Sequence, residues 1–173
     1  MQINTNVLED NKTYHYSEDI DFSKEELNPV LIRKIKDCHA EVDVTNMYEG
    51  HIRIVINIKS NVVLPCSYTL EDVDYVIKGG EEFIITDDKD EEDEESGILY
   101  EEKAIFSLDP YIYSLLIALI PPKVVKKGAK LPDGGKDYEV MSEDEYYERK
   151  SKQVDHRWDA LDNIEFDDDD EEK

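Results

Sequence analysis

Between Gly50 and Lys59 every second residue is isoleucine: Ile52, Ile54, Ile56 and Ile58 alternate with Arg53, Val55, Asn57 and Lys59. Successive side chains of a strand point to opposite faces, so this period puts four β-branched residues on one face and mostly polar ones on the other. That is a strand buried on one side, and it needs neighbours. Just before it, Ala40, Val42 and Val44 alternate with Glu41, Asp43 and Thr45. The link Asn46-Met47-Tyr48-Glu49-Gly50 is short and ends in glycine, which predicts an antiparallel hairpin. Asn61 to Tyr68 and Val73 to Thr86 supply two further strand regions, with Gly79-Gly80 read as a turn or bulge inside the second.

Helical signals lie on either side of this strand-rich stretch. Ser23 with Glu26 three residues on has the form of a capping box, and Asn28-Pro29 limits that helix to about one turn. Glu102 to Phe106 is predicted as one more strand. Ser107-Leu108-Asp109-Pro110 then opens a helix, since Ser107 or Asp109 can cap it and Pro110 suits its first turn. Ile112, Leu115, Leu116 and Leu119 follow helical spacing, and the segment stops at Pro121-Pro122. About three turns of such apolar character predict a core helix over about 109–120, packed on the sheet. Ser142 and Glu145 form a second capping box opening a polar helix to about Lys152, and a last helical turn is predicted over Arg157 to Asn163. The predicted fold is α+β: a twisted antiparallel sheet of four to six strands, open or curled towards a barrel, with one buried helix and a polar helical carboxyl-terminal segment.

Charge decides what such a chain can meet. Against 20 Lys+Arg stand 44 Asp+Glu, a formal charge of −24. Asp87 to Glu95 carries −7 of it and Glu165 to Lys173 carries −6. Like charges repel and neither run can bury apolar surface, so an unstructured loop at 87–97 and an unstructured tail at 165–173 are expected, with a single domain over 1–164. The remaining −11 or so belongs to the folded part. Such a surface repels phosphate backbones at long range and favours a basic partner, although solubility alone would account for it equally. The opening MQINTNVLEDNK has no basic stretch before an apolar core, so no secretory signal is expected, and nowhere do 18 apolar residues run together. Two cysteines, Cys38 and Cys66, give no disulfide framework, and a cytoplasmic location is expected.

Catalytic templates fit poorly. Zinc sites draw on cysteines or histidines a few residues apart, whereas Cys38-His39 are adjacent, Cys66 has none nearby, and histidines 15, 39, 51 and 156 are scattered. Cys66 follows Pro65 at the end of an apolar strand, where packing explains a small residue more simply than reactivity does. Neither Gly79-Gly80 nor Gly134-Gly135 belongs to a phosphate-binding fingerprint. No catalytic residue, metal ligand or cofactor is assigned. Lys123, Lys126, Lys127, Lys130 and Lys136 form a basic, turn-rich segment that could contact RNA or a partner, but self-pairing with the protein's own acids is favoured, because no aromatic residue interleaves before Tyr138.

Read together, several segments resemble a known family. Leu64-Pro65-Cys66-Ser67-Tyr68-Thr69-Leu70 is an L-x-C-x-x-x-L segment after a strand hairpin, followed by an acidic loop, an I-F-S-L-D-P-Y-I-Y-S-L-L-I-A-L-I-P helix over Ile105 to Pro121, and Gly135-Lys136-Asp137-Tyr138. Val154-Asp155-His156-Arg157-Trp158-Asp159-Ala160-Leu161 looks like a terminal D-P-R-x-x-x-L signature. Their order and spacing, over roughly residues 30 to 164, resemble the YceD family of large ribosomal RNA accumulation proteins. The resemblance implies a non-catalytic bacterial factor supporting synthesis, processing or stability of large-subunit (23S) ribosomal RNA. It also implies interaction roles for the family-motif positions Cys66, Leu70, Asp155, Arg157 and Leu161. Tyr68 and Thr69 stand where many members have arginine and a second cysteine, Val124 to Gly135 lacks the cysteines found after the helix, and His156 replaces proline. A metal role in such relatives therefore does not transfer. The expected partner is a basic ribosomal protein or the pre-ribosomal large subunit. Direct RNA binding through 123–136 is the alternative, and a metal- or thiol-dependent enzyme the weaker one.

Overall fold

The computed structural model describes residues 1–47, 50–102 and 104–152. Seven strands and two helices follow in the order β1 (Gln2–Asn4), β2 (Thr13–Asp19), β3 (Lys34–Asn46), β4 (Ile52–Pro65), β5 (Asp72–Thr86), β6 (Ile98–Tyr100), β7 (Ile105–Ser107), α1 (Asp109–Ala118) and α2 (Glu143–Lys152). Two compact units divide the chain, Met1–Ala129 and Lys130–Lys173. Five strands form one sheet in the order β2-β3-β4-β5-β6, and β1 pairs with β7 in a separate ribbon. The α+β class is as expected, and the sheet is open rather than closed into a barrel.

β4 is the central strand because its alternation continues beyond the isoleucines. Ile52, Ile54, Ile56 and Ile58 are buried, and so are Ser60, Val62 and Leu64, while Arg53, Asn57 and Lys59 face solvent. The separate strand expected over Asn61 to Tyr68 is therefore a continuation of β4 as far as Pro65. Antiparallel pairing sets Val42 opposite Ile56 on the β3 side and Ile54 opposite Phe83 on the β5 side. One residue, Lys36, bulges from β3 where the register shifts between Ile35 and Asp37. There the buried Ser60 hydroxyl donates to the Asp37 carbonyl at 2.6 Å, satisfying the one polar side chain in the row.

α1 lies on the buried face of β4 and β5. Ile112, Leu115 and Leu116 are buried, Tyr111 stacks on Phe83 with centroids 5.2 Å apart, and Tyr113 meets Phe22 at 5.4 Å. Ser107 Oγ accepts from the Asp109 amide at 3.2 Å, so the serine caps the helix from just outside it, and Pro110 sits in the first turn as predicted. In the second unit the Ser142 amide donates to the Glu145 carboxylate at 2.7 Å and the Glu145 amide donates to Ser142 Oγ at 3.2 Å, a reciprocal capping box that opens α2. The helical turn expected over Arg157 to Asn163 and the tail at 165–173 lie outside the described residues.

Three local expectations are corrected. Ser23 opens no helix: the Asp21 carboxylate accepts from the Ser23 amide at 2.9 Å and closes a turn, since one turn of helix ending before Asn28-Pro29 cannot repay its nucleation. β6 runs parallel to β5, with Ile84 opposite Ile98, so the sheet is mixed. The acidic segment makes that crossover through two short 3-10 turns, Lys89–Glu91 and Glu94–Ser96. Asp88 and Asp93 cap them by accepting backbone amides, and Gly97 at φ 74° ends the second.

Gly79-Gly80 is the third correction. Both residues lie mid-strand with unbroken register, Gly79 opposite Ile58 and Gly80 opposite Asn57. Space, not turning, requires them. A Cβ on Gly79 would stand 2.7 Å from both Leu119 methyls, and one on Gly80 would stand 2.5 Å from Asn57 Oδ1 and 2.6 Å from the Ile56 carbonyl oxygen. The leucine side chain can rotate away, whereas a carbonyl inside the sheet cannot. Gly80→Ala is accordingly expected to destabilise by about 1–3 kcal/mol and Gly79→Ala by less. Urea denaturation checks this, and equal, negligible effects would contradict it.

Candidate functional site

The family-motif residue Cys66 lies where β4 ends and the chain turns into β5. Its amide donates to the Glu71 carbonyl at 2.8 Å and its carbonyl accepts from the Leu70 amide at 2.9 Å, closing a tight loop. Leu70 holds the left-handed φ of 58° that this loop needs, and its side chain is 69% exposed. Such a conformation is uncommon for a leucine and marks a loop held by its surroundings.

Those surroundings are the first residues of the basic segment. The Ser67 amide donates to the Val124 carbonyl at 2.7 Å, and the Val124 amide donates to Ser67 Oγ at 3.0 Å. The Lys126 amide points at Cys66 Sγ at 3.4 Å, while the Lys126 ammonium bonds Glu71 at 3.1 Å. The Lys123 ammonium stands 5.2 Å from the Tyr68 ring centroid. The structure thus brings Cys66, Leu70, Lys123 and Lys126 together. Lys130 and Lys136 belong to the second unit. Lys127 is exposed in the first unit. Asp155, Arg157 and Leu161 lie outside the described residues. Beside the Cys66 loop a hollow of about 260 Å³ is walled by Val30, Leu31, Leu64, Leu70, Ile120 and other apolar side chains.

The two cysteines differ in chemistry although both are buried. Burial among the core side chains pushes the Cys38 thiol up to about 11, opposed by a hydrogen bond from Ser60. Cys66 is lowered to about 7: the Lys126 amide, the Thr69 hydroxyl and the Tyr68 and Thr69 amides all favour the thiolate, and together they outweigh desolvation. Thr69 therefore supplies a donor to Cys66. Among the described residues no group of three His, Cys, Asp or Glu side chains is arranged to hold a metal ion.

One further cluster escaped the sequence reading. On the solvent face of the sheet, cross-strand pairing of β2 with β3 sets His15 opposite Asp43 and Ser17 near His39. His15 pairs with Asp43, His39 Nδ1 lies 2.7 Å from Asp19, and Ser17 Oγ lies 3.3 Å from His39 Nε2. The Asp19-His39-Ser17 chain has the connectivity of an acid–base–nucleophile relay. Yet the Asp19 side chain is 88% exposed, and the group stands on an open strand face with no wall to exclude water. It ties the edge strand β2 to β3. Only register could have revealed it, since the residues are far apart in sequence.

A lowered thiol pKa is also a statement about stability. Below about 7 the Cys66 thiol is protonated in both folded and unfolded chains and its hydrogen bonds add nothing pH-dependent; above the unfolded value the folded thiolate is favoured in full. The difference in urea midpoint between the native chain and Cys66→Ala is expected to widen as pH rises from about 6.5 to 9, and a constant difference would contradict the assignment.

A family model described as large ribosomal RNA subunit accumulation protein YceD matches residues 54–165, more than half of the 173-residue chain. The match takes in β4 from Ile54 onward, the Cys66 loop, α1, the basic segment and Asp155 to Leu161. No curated protein and no solved structure gives a significant match. With the motif residues in the family's order and more than half of the chain matched, this protein belongs to the YceD family.

Proposed function

We propose that the chain is a non-catalytic ribosome-biogenesis factor that supports synthesis, processing or stability of large-subunit (23S) ribosomal RNA by binding a basic assembly partner. Family membership supports the general role, since the family is named for accumulation of the large ribosomal RNA subunit. The observation that carries the finer reading is charge: a formal −24 on the chain, −7 of it in the segment from Asp87 to Glu95. Ribosomal components that bind RNA are basic, and an acidic partner can shield them until RNA competes. This role places the protein in the cytoplasm. No helix among the described residues is long and apolar enough to cross a membrane.

Direct RNA binding through Lys123 to Lys136 is the rival reading, and the local geometry weakens it. Lys126 is paired with Glu71, Lys123 is set over Tyr68, and Lys130 and Lys136 belong to the other unit. A continuous basic track with stacking aromatics is the usual footprint of RNA, whereas within the first unit Lys126 and Lys123 are drawn to Glu71 and Tyr68.

Capture of partners with the tagged full chain, at low and moderate salt and with or without nuclease, separates the readings. Basic proteins should be recovered after nuclease treatment and lost as salt rises. Recovery only of RNA-dependent partners, with binding to bare ribosomal RNA weakened uniformly by Lys→Ala changes at 123, 126 and 127, would contradict the proposal.

A further inference from the structure

β5 is paired along its whole length on one side only. β4 accompanies it from Asp72 to Ile85, but on its other side β6 covers just Ile84–Thr86. The Ile84 amide donates to the Gly97 carbonyl at 2.9 Å and the Thr86 carbonyl accepts from the Glu101 amide at 3.0 Å, so even-numbered residues turn their backbone groups away from β4. The Glu71 carbonyl, odd-numbered, accepts from Cys66 on the β4 side, which agrees. With the two-residue period of a strand and no register shift, Asp74, Val76, Lys78, Gly80 and Glu82 all present N–H and C=O groups to that outer edge. Among the described residues no backbone group bonds them there.

Sheet edges are commonly blunted by charged side chains, proline, a bulge or a covering element, and of these the first is present here as Asp74, Lys78, Glu81 and Glu82. Residues 73–83 contain no proline, their register is continuous, and Val76 is 48% exposed. At the middle of the edge Gly79-Gly80 carries no side chains of its own, and Leu119 and Asn57 occupy the space beside it. Leu119 packs where a Gly79 side chain would be, so α1 supports this stretch from the buried face and leaves the edge itself bare.

Charge selects the occupant. Glu81 lies beside the open stretch, Glu82 is already engaged by Arg53 at 2.7 Å, and the Asp87 to Glu95 segment, with its net −7, follows the residues that β6 covers. Two copies joined through β5 would bring together two chains of −24 with their acidic segments. We propose that the open edge of β5 at residues 74–82 accepts an extended basic peptide of a partner protein as an added strand, with lysine or arginine side chains reaching the 87–95 acids. Main-chain hydrogen bonds would hold the peptide, and the acids would choose it by charge. This rests on the basic-partner reading and specifies where that partner docks.

The probe is a peptide of alternating lysine and valine, long enough for the edge (about nine residues at roughly 3.3 Å each). Its counterpart carries N-methyl groups on alternate backbone nitrogens, keeping charge but losing donors. Both are titrated against the full chain at low salt, with amide hydrogen exchange read residue by residue. The N-methylated peptide should bind at least about tenfold more weakly. The parent should slow exchange at Val76, Lys78, Gly80 and Glu82 but not along the other edge at β2. Lys78→Pro, which removes an edge-facing N–H and no bond to β4, should weaken the parent peptide similarly. The N-methylated arm stands whether or not that variant folds. Equal binding of the two peptides would overturn the edge site while leaving a basic partner in place. No binding of either would overturn both readings, and edge protection that grows with protein concentration alone would assign the edge to a second copy.

Discussion

The burial of one face of β4 is the constraint from which the rest of the first unit follows. Seven alternate residues, Ile52 to Leu64, point inward, and strands pair with them along both sides. An apolar row of that length needs a cover, which α1 supplies with Ile112, Leu115 and Leu116. Removing that row from water is the main favourable term, and the backbone pairing on either side satisfies polar groups that burial would otherwise strand. Even the glycines in β5 answer to it, since α1 reaches the sheet through Leu119 over Gly79.

What could be read from the sequence tracks how local each signal is. The β3–β4 hairpin, α1 and the Ser142–Glu145 capping box were legible because period, cap and breaker lie within a few residues of one another. Gly79-Gly80 was misread because glycine serves both turns and close approaches, and only Leu119, forty positions on, decides between them. The parallel pairing of β6 was hidden for a similar reason: an acidic run signals exposure, not the direction in which the chain returns. At the candidate site, Cys66 and Leu70 were visible through the family motif, whereas the Lys126 amide on Cys66 Sγ joins segments that nothing in the sequence links.

The acid and the cysteine loop have separate physical roles. Around Cys66, hydrogen bonds from Lys126 and Thr69 fix the end of β4 and the start of the basic segment. Acid acts at longer range: a formal charge of −24 attracts cations and repels other anions within about a Debye length.

The most direct test of the assembly role is the position of the full-length protein in a sucrose gradient of cell lysate. The account predicts that it travels with precursors of the large ribosomal subunit, is absent from mature ribosomes, and still accompanies basic proteins after the RNA is digested. Remaining at the top of the gradient, in cells whose large-subunit RNA is unchanged by its removal, would contradict it.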